Sequence, residues 1–387
     1  MNNQLWTRSF CMNMAENFIL YMIFYLTTAV LAEYAMSVLG APAGEAGLAV
    51  GLFVIAGLAG RILSGRWASL MGIRKLLYLG LILYGIGTAL YFLASTMPLL
   101  YAVRLLQGFG FGMASTATGS IAAAIIPAAR KGEGLGYYAL SLSVASAIGP
   151  FIGIHVYQSG GMAPVLLLSL ACSIVTLFLM LFLTVPRLAQ APQKRGNGNA
   201  FHLSQFIEYR SLPISAIAVL VGIGYASLLA FLASYLARIQ LSTMGSFFFI
   251  VYAVTILASR PFAGKLFDVK GQNAVMVPLF LLFAAGLVLL AFSHAAWMIL
   301  AAGILIGLGY GNFPPMGNAI ALRGVPPERI VLATSTFFCG TDIGIGMGPF
   351  LLGLLLPFLG FQGLYLAMAI LALIELILYW FLYGRHV

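Results

Sequence analysis

Along this chain, long apolar runs alternate with short clusters of glycine, proline, asparagine and charged residues. The runs lack the strict apolar–polar alternation of barrel strands and exceed barrel-strand length. About 20 apolar residues let a helix cross a bilayer. Twelve such segments are expected: Phe10 to Met36, Ala46 to Met71, Leu76 to Ala94, Pro98 to Ile126, Gly134 to Gln158, Met162 to Val185, Pro213 to Ile239, Thr243 to Leu266, Asn273 to Phe292, Ala295 to Leu322, Arg329 to Pro357 and Phe361 to Tyr383. The one sustained polar stretch, PRLAQAPQKRGNGNAFHLSQFIEYRS from Pro186 to Ser211, cannot span a bilayer. It divides the spans six and six, which predicts a first bundle over 1–185, a linker over 186–212 and a second bundle over 213–387.

The two halves share a spacing. GRILSGRWASLMG (Gly60 to Gly72) and SRPFAGKLFDVKG (Ser259 to Gly271) have the same layout of arginine, small residue, glycine, base and closing glycine, each position 199 residues from its counterpart. The same offset carries Gly108, Gly110 and Gly112 to Gly307, Gly309 and Gly311, Pro127 and Arg130 to Pro326 and Arg329, and Gly149-Pro150 to Gly348-Pro349. One offset linking so many places predicts two pseudo-symmetric six-helix bundles, an arrangement that in membranes commonly supports alternating access.

Composition agrees with the pattern. With 62% apolar and 7% charged residues over 387 positions, the polar surface is too small for a water-soluble globule, so the expectation is an all-α membrane protein. The net charge of +10 does not point to nucleic acid, because 17 of the 19 Lys and Arg fall at the termini or in even-to-odd connections, the exceptions being Arg104 and Arg238. By the positive-inside rule both termini are expected in the cytoplasm, with Lys194 and Arg195 of the linker against anionic headgroups. The start of the chain does not read as a cleaved signal. Cys11, Cys172 and Cys339 are odd in number and lie in apolar runs, which predicts small core residues, no disulfide framework and no metal site.

Three motifs resemble those of the major facilitator superfamily, and within it the twelve-helix drug:proton antiporters. The loop motif is matched by Gly65, Arg66, Gly72, Arg74 and Lys75, and again by Gly264, Lys265, Asp268 and Gly271, with Arg260 just before; the helix 4 motif by Arg104, Gln107 and Gly108; the helix 5 antiporter motif by Gly136, Gly149, Pro150 and Gly153, with Ala145 in place of one glycine. Ser69 stands where the family carries an acid, whereas its repeat partner keeps Asp268. The resemblance implies gating loops that latch the inner gate, helix 5 and helix 11 bends at Gly149-Pro150 and Gly348-Pro349 that seal against leak, and exchange rather than uptake.

Charges inside spans cost about 2.5–3.5 kcal/mol at a helix centre and mark functional candidates. Glu16, flanked by Asn13 and Asn17, and Asp342 are the deepest carboxylates and are expected to load and unload protons, with Arg104 holding a carboxylate or tuning its proton affinity. Glu375, on the last span, is expected to be structural, and His155 a satisfied interfacial histidine. GNFPPMGNAI places Asn312, Phe313 and Asn318 around a double proline, and Tyr21, Phe24, Tyr25 and Tyr225 add aromatic walls, which together suggest an amphipathic substrate cavity. No Walker lysine motif, nucleophile constellation or metal spacing points to catalysis. The expectation is a monomeric inner-membrane exporter of a small amphipathic compound. It would use the proton gradient and no cofactor, with small molecule, protons and bilayer as its partners and no nucleic acid. A nutrient symporter or facilitator, a lipid flippase and a non-transporting sensor remain alternatives.

Overall fold

The computed structural model describes residues 4–127, 130–183, 207–326 and 329–386. Among them there is helix and no strand. The α-helices are α1 (Arg8–Ser37), α2 (Ala43–Met71), α3 (Ile73–Leu90), α4 (Met97–Ile125), α5 (Lys131–Gly160), α6 (Met162–Phe182), α7 (Leu212–Arg238), α8 (Met244–Lys270), α9 (Asn273–Ala291), α10 (Ala296–Leu308), α11 (Phe313–Ala321) and α12 (Ile330–Leu382). Ten described helical stretches are long and apolar enough to cross a membrane. That count differs from the expected twelve for two reasons. The last two expected spans run on as one 53-residue helix, bent at Gly360 where φ is 63°; the 29-residue α4 carries Arg104, Gln107 and several small residues and is not among the ten.

Breaks fall where the backbone chemistry requires them. Pro314 and Pro315 lack N–H groups and their rings clash with carbonyls one turn back, so the tenth expected span divides into α10, a 3-10 turn at Tyr310–Asn312, and α11. The gating-motif residues lie at helix ends rather than in free loops: α2 runs through Gly65, Arg66 and Ser69 to Met71, as its expected span did, and α8 through Arg260, Gly264 and Lys265 on past its expected end to Asp268 and Lys270. Only the closing glycines leave the helix, Gly72 at φ 83° and Gly271 at φ 82°, a conformation that costs glycine little. Most of the expected linker lies outside the described residues.

The chain forms two compact units, Met1–Ala41 with Leu52–Asn197, and Pro42–Gly51 with Gly198–Val387. The start of α2 thus clusters with the second unit, where a Cβ on Gly47 would come 1.9 Å from the Pro349 carbonyl oxygen.

Internally the units repeat each other at the 199-residue offset. In the first, Cβ atoms on Gly108, Gly110 and Gly87 would meet Phe53, Tyr84 and Gln107; in the second, those on Gly307, Gly309 and Gly286 would meet Tyr252, Phe283 and Ile306, the same pairs one repeat on. Arg130 N–H donates to the Pro127 carbonyl at 2.9 Å and Arg329 N–H to Pro326 at 2.9 Å. Small residues at these crossings let helix backbones approach closely, which is how membrane helices pack without a hydrophobic drive between them. The same packing joins α1 to α5 through Gly149 and Gly153, and α7 to α12 through Gly340, Gly344 and Gly348.

In the second unit an ion pair fastens the approach to α7. Arg329 donates to the Glu208 carboxylate and, at 3.3 Å, to the Ile207 carbonyl, while Glu208 N–H donates to Thr336 Oγ1 at 3.0 Å. The Arg329 hydrogen bond, aided by the Arg210 backbone N–H, holds the Glu208 carboxyl below its ordinary value against the opposing effect of burial. A depressed folded value means that the pair's stabilisation is fully present above the unfolded glutamate value, about 4.3, and is lost as pH falls through the lower folded value. Melting curves of Glu208→Gln and the parent should therefore differ near neutral pH and converge under acid; a constant gap down to that range would contradict the pairing.

Cysteine placement corrects one expectation. Cys11 is exposed on α1 and Cys172 and Cys339 are partly buried, so Cys11 is not a core residue. In an apolar span a thiol is compatible with either face, and hydropathy does not separate them.

Candidate functional site

The first unit carries a buried polar cluster on α1. Asn13, Glu16 and Asn17 share one face at helical spacing and are almost completely enclosed. Asn13 Nδ2 donates to the Thr118 carbonyl at 3.0 Å, and Asn17 Nδ2 to Ser141 Oγ at 2.9 Å. Tyr138 OH donates to Asn17 Oδ1 at 2.8 Å and stands 3.0 Å from Thr118 Oγ1. Helices α4 and α5 thereby fix both asparagines. Glu16 differs from them: neither carboxylate oxygen has a hydrogen-bond partner. Tyr138 is within electrostatic range of Glu16, Tyr21 and Arg61.

Arg61 was counted with the connection after the second expected span, but it lies inside α2. Its Nη2 donates to Tyr21 OH at 3.2 Å and its guanidinium sits 5.9 Å from the Phe111 ring centroid. Phe24 extends this aromatic wall, stacked on Phe53 at 4.9 Å and beside Tyr25 at 4.8 Å. A carboxyl, a guanidinium and aromatic faces in one region can bind both charged and apolar parts of a small molecule.

Arg104 belongs to a separate network. Its Nη1 donates to Tyr91 OH at 3.0 Å and Nη2 to Thr28 Oγ1 at 3.4 Å, with the guanidinium 4.5 Å from the Phe53 centroid; Tyr91 OH donates to Gln107 Oε1 at 3.0 Å, and Gln107 Nε2 to Thr88 Oγ1 at 2.9 Å. Thr28 and Glu16 are twelve residues apart on α1, about 18 Å at helical rise, so the structure does not bring Arg104 to Glu16. Lysine lacks the fork that reaches Tyr91 and Thr28 together. Arg104→Lys should lower thermal stability by about 1.5–3 kcal/mol, the range for hydrogen bonds to a charged group, and an unchanged melting temperature would contradict this network.

In the second unit the expected residues divide. Tyr225 stacks on Tyr310 with centroids 4.0 Å apart, Tyr252 lies 6.2 Å from Tyr225, and Phe283 5.9 Å from Tyr310. Partly buried Asp342 acts electrostatically on Tyr310, so it joins this aromatic group. Asn312 Nδ2 donates to Ser259 Oγ at 2.9 Å and to the Leu308 carbonyl at 3.0 Å; its Oδ1 and that of Asn318 have no partner. Phe313 is a core residue rather than a cavity wall, enclosed between Phe280 at 5.9 Å and Phe337 at 6.0 Å, because the turn forced by the double proline swings it inward.

Arg260 is partly buried and interacts with Tyr252, and Lys265 is exposed. The side chains at Gly65, Arg66, Ser69, Asp268 and Gly136 lie outside the described residues. Pro150 and Pro349 are inside α5 and α12. His155 is exposed and stacks on Phe151 at 6.1 Å. No three His, Cys, Asp or Glu gather into a metal site among the described residues.

Thr118, Tyr138, Ser141, Arg61 and Tyr310 were not singled out from sequence. Polar residues three apart at 138 and 141 on an apolar helix were the available signal; Tyr310 was masked by its glycine-rich surroundings.

Comparison with known proteins places this geometry in a family. A model of the Major Facilitator Superfamily matches residues 17–274 and 242–387. An uncharacterized MFS-type transporter of Methanocaldococcus jannaschii is 26% identical over 354 residues, covering 89% of this chain and 90% of the relative. The uncharacterized MFS-type transporter YhhS of Shigella flexneri is 26% identical over 393 residues, covering 95% and 91%. A POT family transporter solved in complex with 5-aminolevulinic acid shares the fold at a TM-score of 0.81 and 14% identity, covering 98% of this chain and 96% of that one. With two internally repeated helical units, apolar spans and a family match along nearly its whole length, the chain belongs to the Major Facilitator Superfamily and is a multi-pass secondary membrane transporter.

Proposed function

We propose that the protein exports a small amphipathic compound in exchange for protons by alternating access, from an inner membrane in which both termini face the cytoplasm. The observation that carries this reading is Glu16: a wholly enclosed carboxyl with neither oxygen hydrogen-bonded, between Asn13, whose Nδ2 is bonded while its Oδ1 is not, and Asn17, which is bonded at both ends. An acid in that position accepts a proton at low cost and holds a bare charge only when a cation or water reaches it. Asp342 beside Tyr310 is the corresponding candidate in the second unit. Arg61 and the aromatic wall around Phe111 favour a zwitterion over a bare lipophilic cation, since a guanidinium attracts the substrate's acidic group while Glu16 answers its basic one. The alternating-access route needs no cofactor and no partner chain in this reading, with the proton gradient as energy source.

The test is substrate-induced proton movement in inside-out vesicles with an imposed pH gradient, screened with zwitterions, lipophilic cations and sugars. Substrate-dependent proton release from an acid-loaded lumen is expected, and Asp342→Asn should reduce it strongly in folded protein. Flux without proton movement would replace this reading with a facilitator.

A further inference from the structure

A third carboxyl in the membrane region, Glu375, has no role in the sites above. Glu375 lies past the Gly360 bend of α12, on the face that also buries Leu364, Tyr365, Met368, Ala372 and Tyr379. Its relative exposure is 0%, and neither oxygen has a hydrogen-bond partner. Nearby polar groups on the same helix face do not share this condition. Tyr365 OH donates to the Ser227 carbonyl at 3.5 Å, and Tyr379 OH, one turn beyond Glu375, donates to Asn273 Oδ1 at 2.7 Å. Asn273 Nδ2 in turn donates to the Gly384 carbonyl at 2.7 Å, so a bonded polar file runs from one turn below Glu375 to the end of the helix.

We propose that Glu375 is a further proton-binding site of this transporter, outside the aromatic and polar site and one helical turn from the bonded Tyr379–Asn273 file. A proton is the ligand that fits. A metal cation needs several oxygen donors, and no three His, Cys, Asp or Glu gather around Glu375 among the described residues, while Phe280 of α9 packs on Tyr379 one turn along the same face. An unbonded polar group in a packed interior is destabilising, a cost that a leucine at this position would avoid. Packing alone therefore does not account for an acid here. The repeat reinforces the point: the equivalent position on α6 is Thr176, also buried but satisfied by its own helix, its Oγ1 donating to the Ser173 carbonyl at 2.8 Å.

Among the described residues no salt bridge to Glu375 is present. The titratable side chains on the elements packed against its helix are Tyr225, Tyr235 and Arg238 of α7, Tyr209 and Arg210 just before α7, Cys339 and Asp342 of the first part of α12, Tyr365, Tyr379 and Tyr383 of its own segment and Arg385 beyond it, while Arg323 acts on Tyr379; α9 has none.

The test is infrared spectroscopy of the full-length protein in liposomes, following carboxylic acid C=O stretching bands from about pH 5 to about pH 10, a window wide enough for the shifts that buried acids show. The expected result is a band that disappears as pH rises, shifts in heavy water, and is missing from Glu375→Gln while remaining in Glu16→Gln. If Glu375→Gln does not fold, Glu375→Leu supplies the same band assignment with a residue suited to the apolar surroundings. A spectrum unaltered by either substitution, or a Glu375 band that stays constant over the whole range, would overturn the proposal, the second by showing a permanently neutral packing group.

Discussion

Glu16→Gln is expected to abolish substrate-driven proton release while leaving the protein folded. Glutamine has nearly the shape of the protonated acid, so the enclosure beside Asn13 and Asn17 survives, and with it the bonds from Thr118, Tyr138 and Ser141 that hold the asparagines. What is lost is the exchangeable proton. Since a stranded charge in a span costs about 2.5–3.5 kcal/mol, the carboxyl has a strong energetic reason to change its protonation when substrate or water enters; an amide has none. The measurement is lumenal pH in vesicles, with tryptophan fluorescence melting as the check on folding. Retained proton release in a well-folded Glu16→Gln protein would move the coupling away from Glu16, to Asp342. Substrate binding measured separately should persist, weakened for zwitterions and little changed for ligands without a basic group.

Gly108→Ala should be among the most damaging single substitutions, whereas Gly307→Ala, its repeat counterpart, should be mild. A methyl at 108 would lie 2.1 Å from the Phe53 carbonyl oxygen and 2.8 Å from the Phe53 Cα, both backbone atoms that cannot move without shifting α2 against α4. At 307 the nearest atoms are Thr255 Cβ and the Tyr252 carbonyl, each 3.0 Å away, close enough to require only a small adjustment. Overpacking in a tight interior costs about 1–3 kcal/mol and occasionally more. The alanine at 108 is expected at or above the top of that range and the one at 307 near its bottom, readable as a large and a small drop in melting temperature. Equal drops would mean that the two crossings are not distinguished by the close approach of α2 to α4.

Much of this architecture was open to reading from the sequence because its causes are local. Membrane spans need only length and apolarity. A helix end at Gly72 or Gly271 needs only the residue that accepts positive φ. The 199-residue offset made the repeat visible, and the structure returns it as paired contacts such as Gly108 with Phe53 and Gly307 with Tyr252. The double proline likewise announced the break between α10 and α11. The expected spans already held Gly65 to Ser69 and Arg260 to Lys265 in helix, and the structure extends α8 four residues further, to Lys270, because charged residues near a membrane surface can be solvated without leaving a helix.

Partners brought from distant parts of the chain were decided by tertiary structure. Thr118, Tyr138 and Ser141 are more than a hundred residues from Asn13 and Asn17, and no helical periodicity on α1 indicates which neighbours will bond those asparagines and leave Glu16 without one. Their repeat counterparts, Ser215, Gly317, Phe337 and Gly340, make an apolar contact so tight that a Cβ on Gly340 would come 2.5 Å from the Ser215 carbonyl. One backbone plan thus holds a polar cluster in the first unit and close packing in the second. The sequence by itself determined the spans, the repeat and the residue types available; only the folded chain decided which acids are stranded, since an unbonded buried carboxyl is a property of what surrounds it on every side.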